Sequence, residues 1–396
     1  MPRALAARAF AVSADLEMRA TGALRGPDPG AGMPCPGIDE LTPLDYRGPR
    51  TEPGARMSSQ GLALSNRLRY LAWRIRRIDV GSVLERAKET AHEHGKWTPA
   101  VVVDMLWSAG FRQVGFQDYV DYDFAILNRA ERATYMTHPV SNELSQKYDH
   151  PDYRGLFQDK VEFDRTFSEF LRRDWMVVEA GNADEVRAFA EKHGTIVTKE
   201  PVGQAGTGVH RYHAAEISDW DAFHRGLLDR GELLIEEVIR QHADLAAVCP
   251  GTVNTTRVTA FFDGEKTHIL AMAQKFGRGA VSDQMTFGGF YTMLDENGHA
   301  VGPGYDSHAH VHVTHPDSGF VIADFQLPMI DEVKAFVDQV ARVVPQIQYV
   351  GWDIVVTPEG PVLVEGNWGA GVYENKPSVT GIRTGHKPRY RAAIGF

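Results

Sequence analysis

The chain has 396 residues, of which 43% are hydrophobic and 24% charged, and a formal net charge of −10, so it is long enough for two or three domains around a substantial core. The acidic balance argues against a general nucleic-acid binder, whose electrostatic footprint is basic. Two cysteines, Cys35 and Cys249, cannot form a disulfide framework and point to a reducing, cytoplasmic setting; no stretch approaches the roughly 20 apolar residues of a membrane span.

Residues 20 to 56 are dense in glycine and proline. Such a composition cannot bury enough apolar surface to offset ordering entropy, so 1–56 is expected to be a disordered arm, with Met57 as an alternative start. The first residues lack the apolar centre of a secretion signal. Residues 63 to 78, "ALSNRLRYLAWRIRRI", set five arginines beside Leu68, Leu71 and Ile75. That pattern predicts a basic amphipathic helix, docked on its own domain or, as the alternative, lying on a membrane surface or acidic partner. The remainder of 57–159 reads as a helical region, with one helix near 97–109.

From about residue 160 strands alternate with helices. Asn182 to Glu185 resembles a capping box, Val186, Phe189 and Ala190 form an apolar stripe, and Gly194 stops the helix. The strand "TIVTKE" follows. Ser218 is expected to cap a helix carrying Trp220, Phe223 and Leu227, ended by Gly231, and "ELLIEEVI" is the next strand. Residues 253–262 and 266–275 read as strands. Helical spacing of Val333, Phe336, Val337, Val340 and Val344 predicts a helix over 331–344, which Pro345 ends. The class is α+β.

Lys199 stands at a strand end before Gly203, Gly206 and Gly208. Glycines let backbone N–H groups approach an anion, and a lysine adds a point charge. Neither the P-loop spacing nor the dinucleotide fingerprint fits. A strand lysine before a glycine loop remains, which a plain hairpin turn would also explain.

"HAHVHVTH" puts His308, His310 and His312 on one face of a strand, with His315 beyond. Zinc binding, a substrate-facing role and a solvated strand are the three readings, the last being the ordinary one, since a flat strand splays its ligands. Gly288, Gly289 and Tyr291 suggest a loop near an acceptor.

"VGWDIVVTPEGPVLVEGN", residues 350 to 367, reads as a hairpin about Pro358-Glu359-Gly360. A three-residue loop would pair Thr357 with Pro361 and so set Asp353 opposite Glu365. Facing carboxylates about 5 Å apart repel. A hard cation between them would remove the repulsion, with Asn367 adding a third oxygen; a register that separates the acids is the alternative.

Taken in order, Lys160 in "QDKVEF", Lys199 with its glycine loop, "LLIEEVIRQH", "VNTTRV" and the Asp353, Glu365, Asn367 ending resemble the ATP-grasp superfamily. Together with "YMTHPVSNELSQKYDH", they are most similar to its sugar-transfer-associated family. The resemblance covers roughly 115–370. It implies an ATP-grasp fold in which two α+β lobes grip ATP: a lid lobe at 160–235 and a catalytic lobe at 236–396, behind the helical region. It implies that Lys160 and Lys199 contact the phosphates and that Gly203, Gly206 and Gly208 form a lid. Glu236 meets adenine, Glu237 and Val238 complete the hinge through their backbone, and Asp244, or else His242, touches the ribose. Asp353, Glu365 and Asn367 hold Mg²⁺ (or Mn²⁺), and Arg257 and Lys275 stabilise transferring charge. Where many relatives carry an arginine two residues before the metal aspartate, this chain has Gly351.

The implied activity is an ADP-forming carboxylate–amine ligase working through an acyl phosphate on a glycan or small-molecule precursor. Its partners are ATP, a small carboxylate, and an amine or sugar acceptor. A phosphotransferase and a non-enzymatic nucleotide-binding module are the rivals.

Overall fold

Every position of Thr256–Phe262 and of Tyr349–Thr357 is buried, which a strand requires when both faces of its sheet are covered. In the computed structural model, which describes residues 80–203, 208–306 and 310–396, these are central strands of a seven-stranded antiparallel sheet. The arm 1–56, the basic helix 63–78, Gly206 and His308 lie outside the described residues. The strands are β5 (Thr256–Phe262), β6 (Thr267–Phe276), β7 (Phe290–Leu294), β8 (Gly304–Tyr305), β9 (Val311–His312), β10 (Tyr349–Thr357) and β11 (Gly360–Asn367), in the order β11-β10-β5-β6-β7-β8-β9.

One face packs Val258, Met272, Ile354 and Val356 against Val333, Phe336, Val337 and Val340 of the Ile330–Ala341 helix. Full burial of such a side chain stabilises by roughly 1.5–3 kcal/mol. The other face brings Phe261, Leu270 and Tyr349 against Val140 and Leu144 of the His138–Tyr148 helix and Tyr390 of the Lys387–Ile394 helix.

A second sheet has the order β1-β4-β2-β3, from β1 (Trp175–Val177), β2 (Thr195–Lys199), β3 (Val209–His213) and β4 (Leu234–Glu237). Ile196 and Ile235 pack on Val186 and Ala190 of the Ala183–His193 helix and Leu227 of the Trp220–Arg230 helix. Two helix starts differ from expectation. Asn182 makes no side-chain cap; its Oδ1 takes the Glu179 N–H and faces the His224 ring, a tertiary competitor for the capping bond. Asp219, not Ser218, caps the next helix, accepting from the Ala222 N–H at 2.8 Å.

The N-terminal region is helical, with Val80–Glu93 and Thr98–Phe111 as its longest members before the His138–Tyr148 helix. The last part of the chain returns to it. The buried Glu374 accepts the Met136 N–H at 2.8 Å, and Lys376 Nζ meets Asp123 Oδ1 at 2.7 Å. Asp123 Oδ2 takes the Ser378 N–H, also at 2.7 Å, and Arg383 pairs with Glu131. No helix among the described residues is long and apolar enough to cross a membrane.

Candidate active site

β10 and β11 set Asp353 opposite Glu365 and Gly351 opposite Asn367. The register expected from the sequence holds, by a different route. The loop is two residues, pairing Thr357 with Gly360, whose φ of +122° suits only glycine. A bulge beside Ile354 then supplies the missing offset.

Arg257 lies directly across β5 from Asp353. Its Nε and Nη2 grip the two carboxylate oxygens at 2.6 and 2.9 Å, a charge-assisted fork. Lys275 Nζ reaches Asp353 at 3.3 Å and Asp283 at 3.5 Å. Asp283 in turn accepts from the Thr255 N–H and hydroxyl. Burial alone would raise Asp353, but the two cations hold its carboxyl well below the usual range. Glu365 goes the other way: burial, then the Asp353 charge, push it up. Among the described residues no ion pair meets Glu365, whose Oε1 takes the Asn367 amide at 3.3 Å and whose carboxyl also hydrogen-bonds Asp353. Two carboxylates and an amide, all oxygen donors, one acid still short of positive charge, fit a hard divalent ion such as Mg²⁺.

Gly351 leaves the arginine room. A Cβ there would lie 3.1 Å from Arg257 Cδ, 3.2 Å from its Nη1 and 3.1 Å from the Ala370 Cβ. The volume that a side chain at 351 would need is filled by an arginine arriving from the neighbouring strand.

The second sheet faces this group. Lys199 Nζ donates to Glu236 Oε2 at 2.6 Å, and Arg173 donates to Glu236 Oε1 at 3.1 Å. Arg173 also donates to the Leu363 carbonyl of β11 at 2.6 Å, tying the sheets together. Burial opposes ionisation of Glu236, yet these two cations hold its carboxyl below the usual range. Burial and the Glu236 charge raise the neighbouring Asp164. Lys160 donates to the Glu200 and Gly203 carbonyls at 3.1 and 3.0 Å, so it grips the entrance of the glycine loop. Burial lowers its ammonium, partly offset by the nearby Glu365. At the loop's exit Gly208 has φ +67°, and a Cβ would strike the Glu200 side chain at 2.7 Å.

Lys160, Lys199, Glu236, Arg257, Lys275, Asp353, Glu365 and Asn367 thus form one charged cleft. Three expected residues stand apart from it. Strand alternation turns the Glu237 side chain outward to the Asp174 N–H, and its own N–H donates to the Asp174 carbonyl, which removes it as a hinge donor. Val238 is half-buried just past β4. Asp244, with a 65% exposed side chain, sits beside His242 at 3.5 Å.

Arg173, Asp164, Asp283, Tyr373 and a histidine–aspartate pair were not legible in the sequence. Tyr291 pairs across the strands with Lys275, and its ring meets Tyr373 edge-on at 4.7 Å; Arg257 lies over Tyr373 at 5.6 Å. Tyr291 also feels the charge of Asp121, which accepts from Gln117 at 2.7 Å. Beside Asp121, His138 Nδ1 bonds the buried Asp118. The His138 side chain stays 38% exposed; burial depresses its pKa, but the Asp118 charge outweighs this and the net shift is upward.

Among the described residues of the histidine run, His310 and His312 both meet Asp306 Oδ2, at 3.0 and 3.5 Å, His312 also stacks on Phe290 at 4.3 Å, and His315 is buried against the Gly277 carbonyl.

Residues 225–382 match the profile of the family described as sugar-transfer associated ATP-grasp. This part of the chain is thus similar to an ATP-grasp segment. It holds Glu236, Arg257, Lys275, Asp353, Glu365 and Asn367, while Lys160 and Lys199 precede it. No curated protein matches the sequence. Among solved structures the chain is similar to D-alanyl-alanine synthetase A from Vibrio cholerae, at 12% identity over 63% of each chain with a TM-score of 0.35. It is also similar to D-alanine–D-alanine ligase from Bacillus anthracis, at 15% identity over 64% of this chain and 69% of that one, TM-score 0.36. For the ATP-grasp ligase PsnB complexed with a phosphomimetic precursor variant, Mg and ADP, the figures are 14%, 65%, 66% and 0.37. The chain spans less than two thirds of the Vibrio structure.

Proposed function

We propose that the protein is an ADP-forming ligase that activates a carboxylate with ATP and joins it to an amine. One observation carries this reading: the buried Arg257–Asp353–Lys275 group faces Glu365 and Asn367 within a segment similar to ATP-grasp proteins. Phosphoryl transfer asks the protein for position and positive charge in a water-poor cleft, and little else. The substrate carboxylate itself attacks the γ-phosphorus, so no serine or cysteine nucleophile is required. Lys160 and Lys199 meet the phosphates, and Arg257 and Lys275 offset charge developing on the acyl phosphate. Asp353, Glu365 and Asn367 would hold Mg²⁺, which when bound neutralises phosphate oxygens.

The acceptor enters beside Tyr291 and Tyr373. Its nitrogen attacks the carbonyl carbon, the C–N bond forms, the C–O bond to phosphate breaks, and phosphate leaves. The amine proton passes to His138 Nε2, since Nδ1 is engaged by Asp118 and that pair fixes the ring.

The test is ADP and phosphate release across pooled small carboxylic acids, amino acids and amino sugars. Release that needs both a carboxylate and an amine supports the ligase. A stable phosphorylated product makes the protein a phosphotransferase, and tight ATP binding without ADP release makes it a nucleotide-binding module.

A further inference from the structure

A cavity of about 220 Å³ opens between the N-terminal helices and the Lys387–Ile394 helix, remote in composition from the charged cleft. Arg112, Arg129, Arg132, Lys387 and Arg391 line it, and among the described residues no carboxylate does. In a chain of net charge −10, five cations around one small space run against the overall balance. Arg132 is neutralised, since both its terminal nitrogens bond Asp104 at 2.9 and 2.7 Å. The other four make no ion pair among the described residues. Asp104 feels the charge of Arg112 but is already forked by Arg132. Lys387 feels the charge of Glu143, whose carboxylate takes the Gln113 amide and does not line the cavity.

Like charges brought together without a counter-ion repel one another, and here the repulsion is strengthened at the half-buried Lys387, while Arg112, Arg129 and Arg391 are exposed. Lys387 registers it: burial, then the Arg391 charge, lower its ammonium. Its backbone is nonetheless pinned, the N–H donating to the Thr134 carbonyl at 2.9 Å, so the cation is held at the cavity. The volume equals roughly seven waters at about 30 Å³ each, which suits a diphosphate or a sugar phosphate better than a lone ion.

We infer that this cavity is a second binding site, specific for a phosphate-class anion of about diphosphate size, held by Arg112, Arg129, Lys387 and Arg391. Arginine forks and lysine ammonium groups are the usual partners of such oxygens. The site joins residues 112–137 to residues 387–391, and its ligand bridges those two parts of the chain.

The test is isothermal titration of the full chain, at low salt and without divalent ions, using inorganic pyrophosphate and a hexose 1-phosphate. Phosphatidic acid in phosphatidylcholine vesicles, read by flotation, probes a lipid-borne headgroup. The proteins are wild type, the double variant Lys387→Ala/Arg391→Ala, Arg129→Glu at an exposed position, and Lys199→Ala as the cleft control. Each lost charge-assisted contact should weaken binding by roughly 10- to 150-fold, and added salt should weaken it further in the wild type. The cavity variants should keep their melting temperature and their ATP turnover. Binding of any probe that falls in both cavity variants and survives in Lys199→Ala supports the site, and the probe that binds identifies the source. No binding by wild type, or binding unchanged in the cavity variants, or binding lost only in Lys199→Ala, overturns it.

Discussion

Asp353 and Glu365 face each other, yet their replacement should have opposite effects on stability. Asp353 is the counter-charge of two buried cations, Arg257 at 2.6 Å and Lys275 at 3.3 Å. Asp353→Asn leaves both short of negative charge. Removing one partner of a buried pair costs about 3–5 kcal/mol, or on the order of 10 °C in melting temperature. Glu365 is held above its usual range by burial and by Asp353, so Glu365→Gln removes a repulsion and should gain up to about 1 kcal/mol at pH 7. The pH dependence separates the two. A carboxyl depressed in the folded state stabilises above its unfolded pKa, so the Asp353→Asn deficit should be full at pH 7 and shrink in acid. A raised carboxyl binds protons more tightly in the folded state, so the advantage of Glu365→Gln should appear only as pH climbs past the unfolded value. Both variants should lose ADP release, and Glu365→Gln should lose the stabilisation that Mg²⁺ with ADP gives the wild type. Melting curves from pH 4 to 8, with and without Mg²⁺ and ADP, decide the matter. Equal destabilisation by the two substitutions, or near-normal turnover in both, would refute this account of the cleft.

Lys199→Ala should weaken ATP by roughly 10- to 150-fold and AMP far less, by titration calorimetry; equal losses would place the lysine away from the phosphates. Gly351→Ala should displace the Arg257 fork and lower kcat with little change in ATP affinity. His138→Gln should remove an acidic limb from the kcat/KM profile, a limb that lies above pH 6.5 because Asp118 raises the ring; an unchanged profile would dismiss His138 as proton acceptor. Burial raises Asp149 to about 8, so Asp149→Asn, which keeps the acceptor for the Tyr349 N–H, should raise the melting temperature at pH 7 more than at pH 4.

The sequence showed the elements whose signal is local. Alternation in "GWDIVV" and the turn residues placed Asp353 against Glu365, even though the loop was misjudged, because a bulge near Ile354 restored the pairing. Glu236 and Glu237 were adjacent letters with the same charge, and only the pleat separates the one that meets Lys199 from the one that faces Asp174. Arg173 and Asp164 have no motif of their own; their meaning arises where β4 and β11 meet. Asn182 read as a cap because capping chemistry is local, and a distant histidine claimed its oxygen.

The return of residues 372–394 to the N-terminal helices has a consequence for how the molecule is made. The Lys376–Asp123, Glu374–Met136 and Arg383–Glu131 contacts span 253, 238 and 252 positions of chain. During synthesis, at roughly 5–20 residues per second, the helices around Asp118 and Asp123 wait at least ten seconds for the partners that anchor them. Until then the buried Asp123 has no Lys376. The helical region has a local core of its own, from Ala87 to Tyr135, but should become fully resistant to protease only after the closing segment emerges.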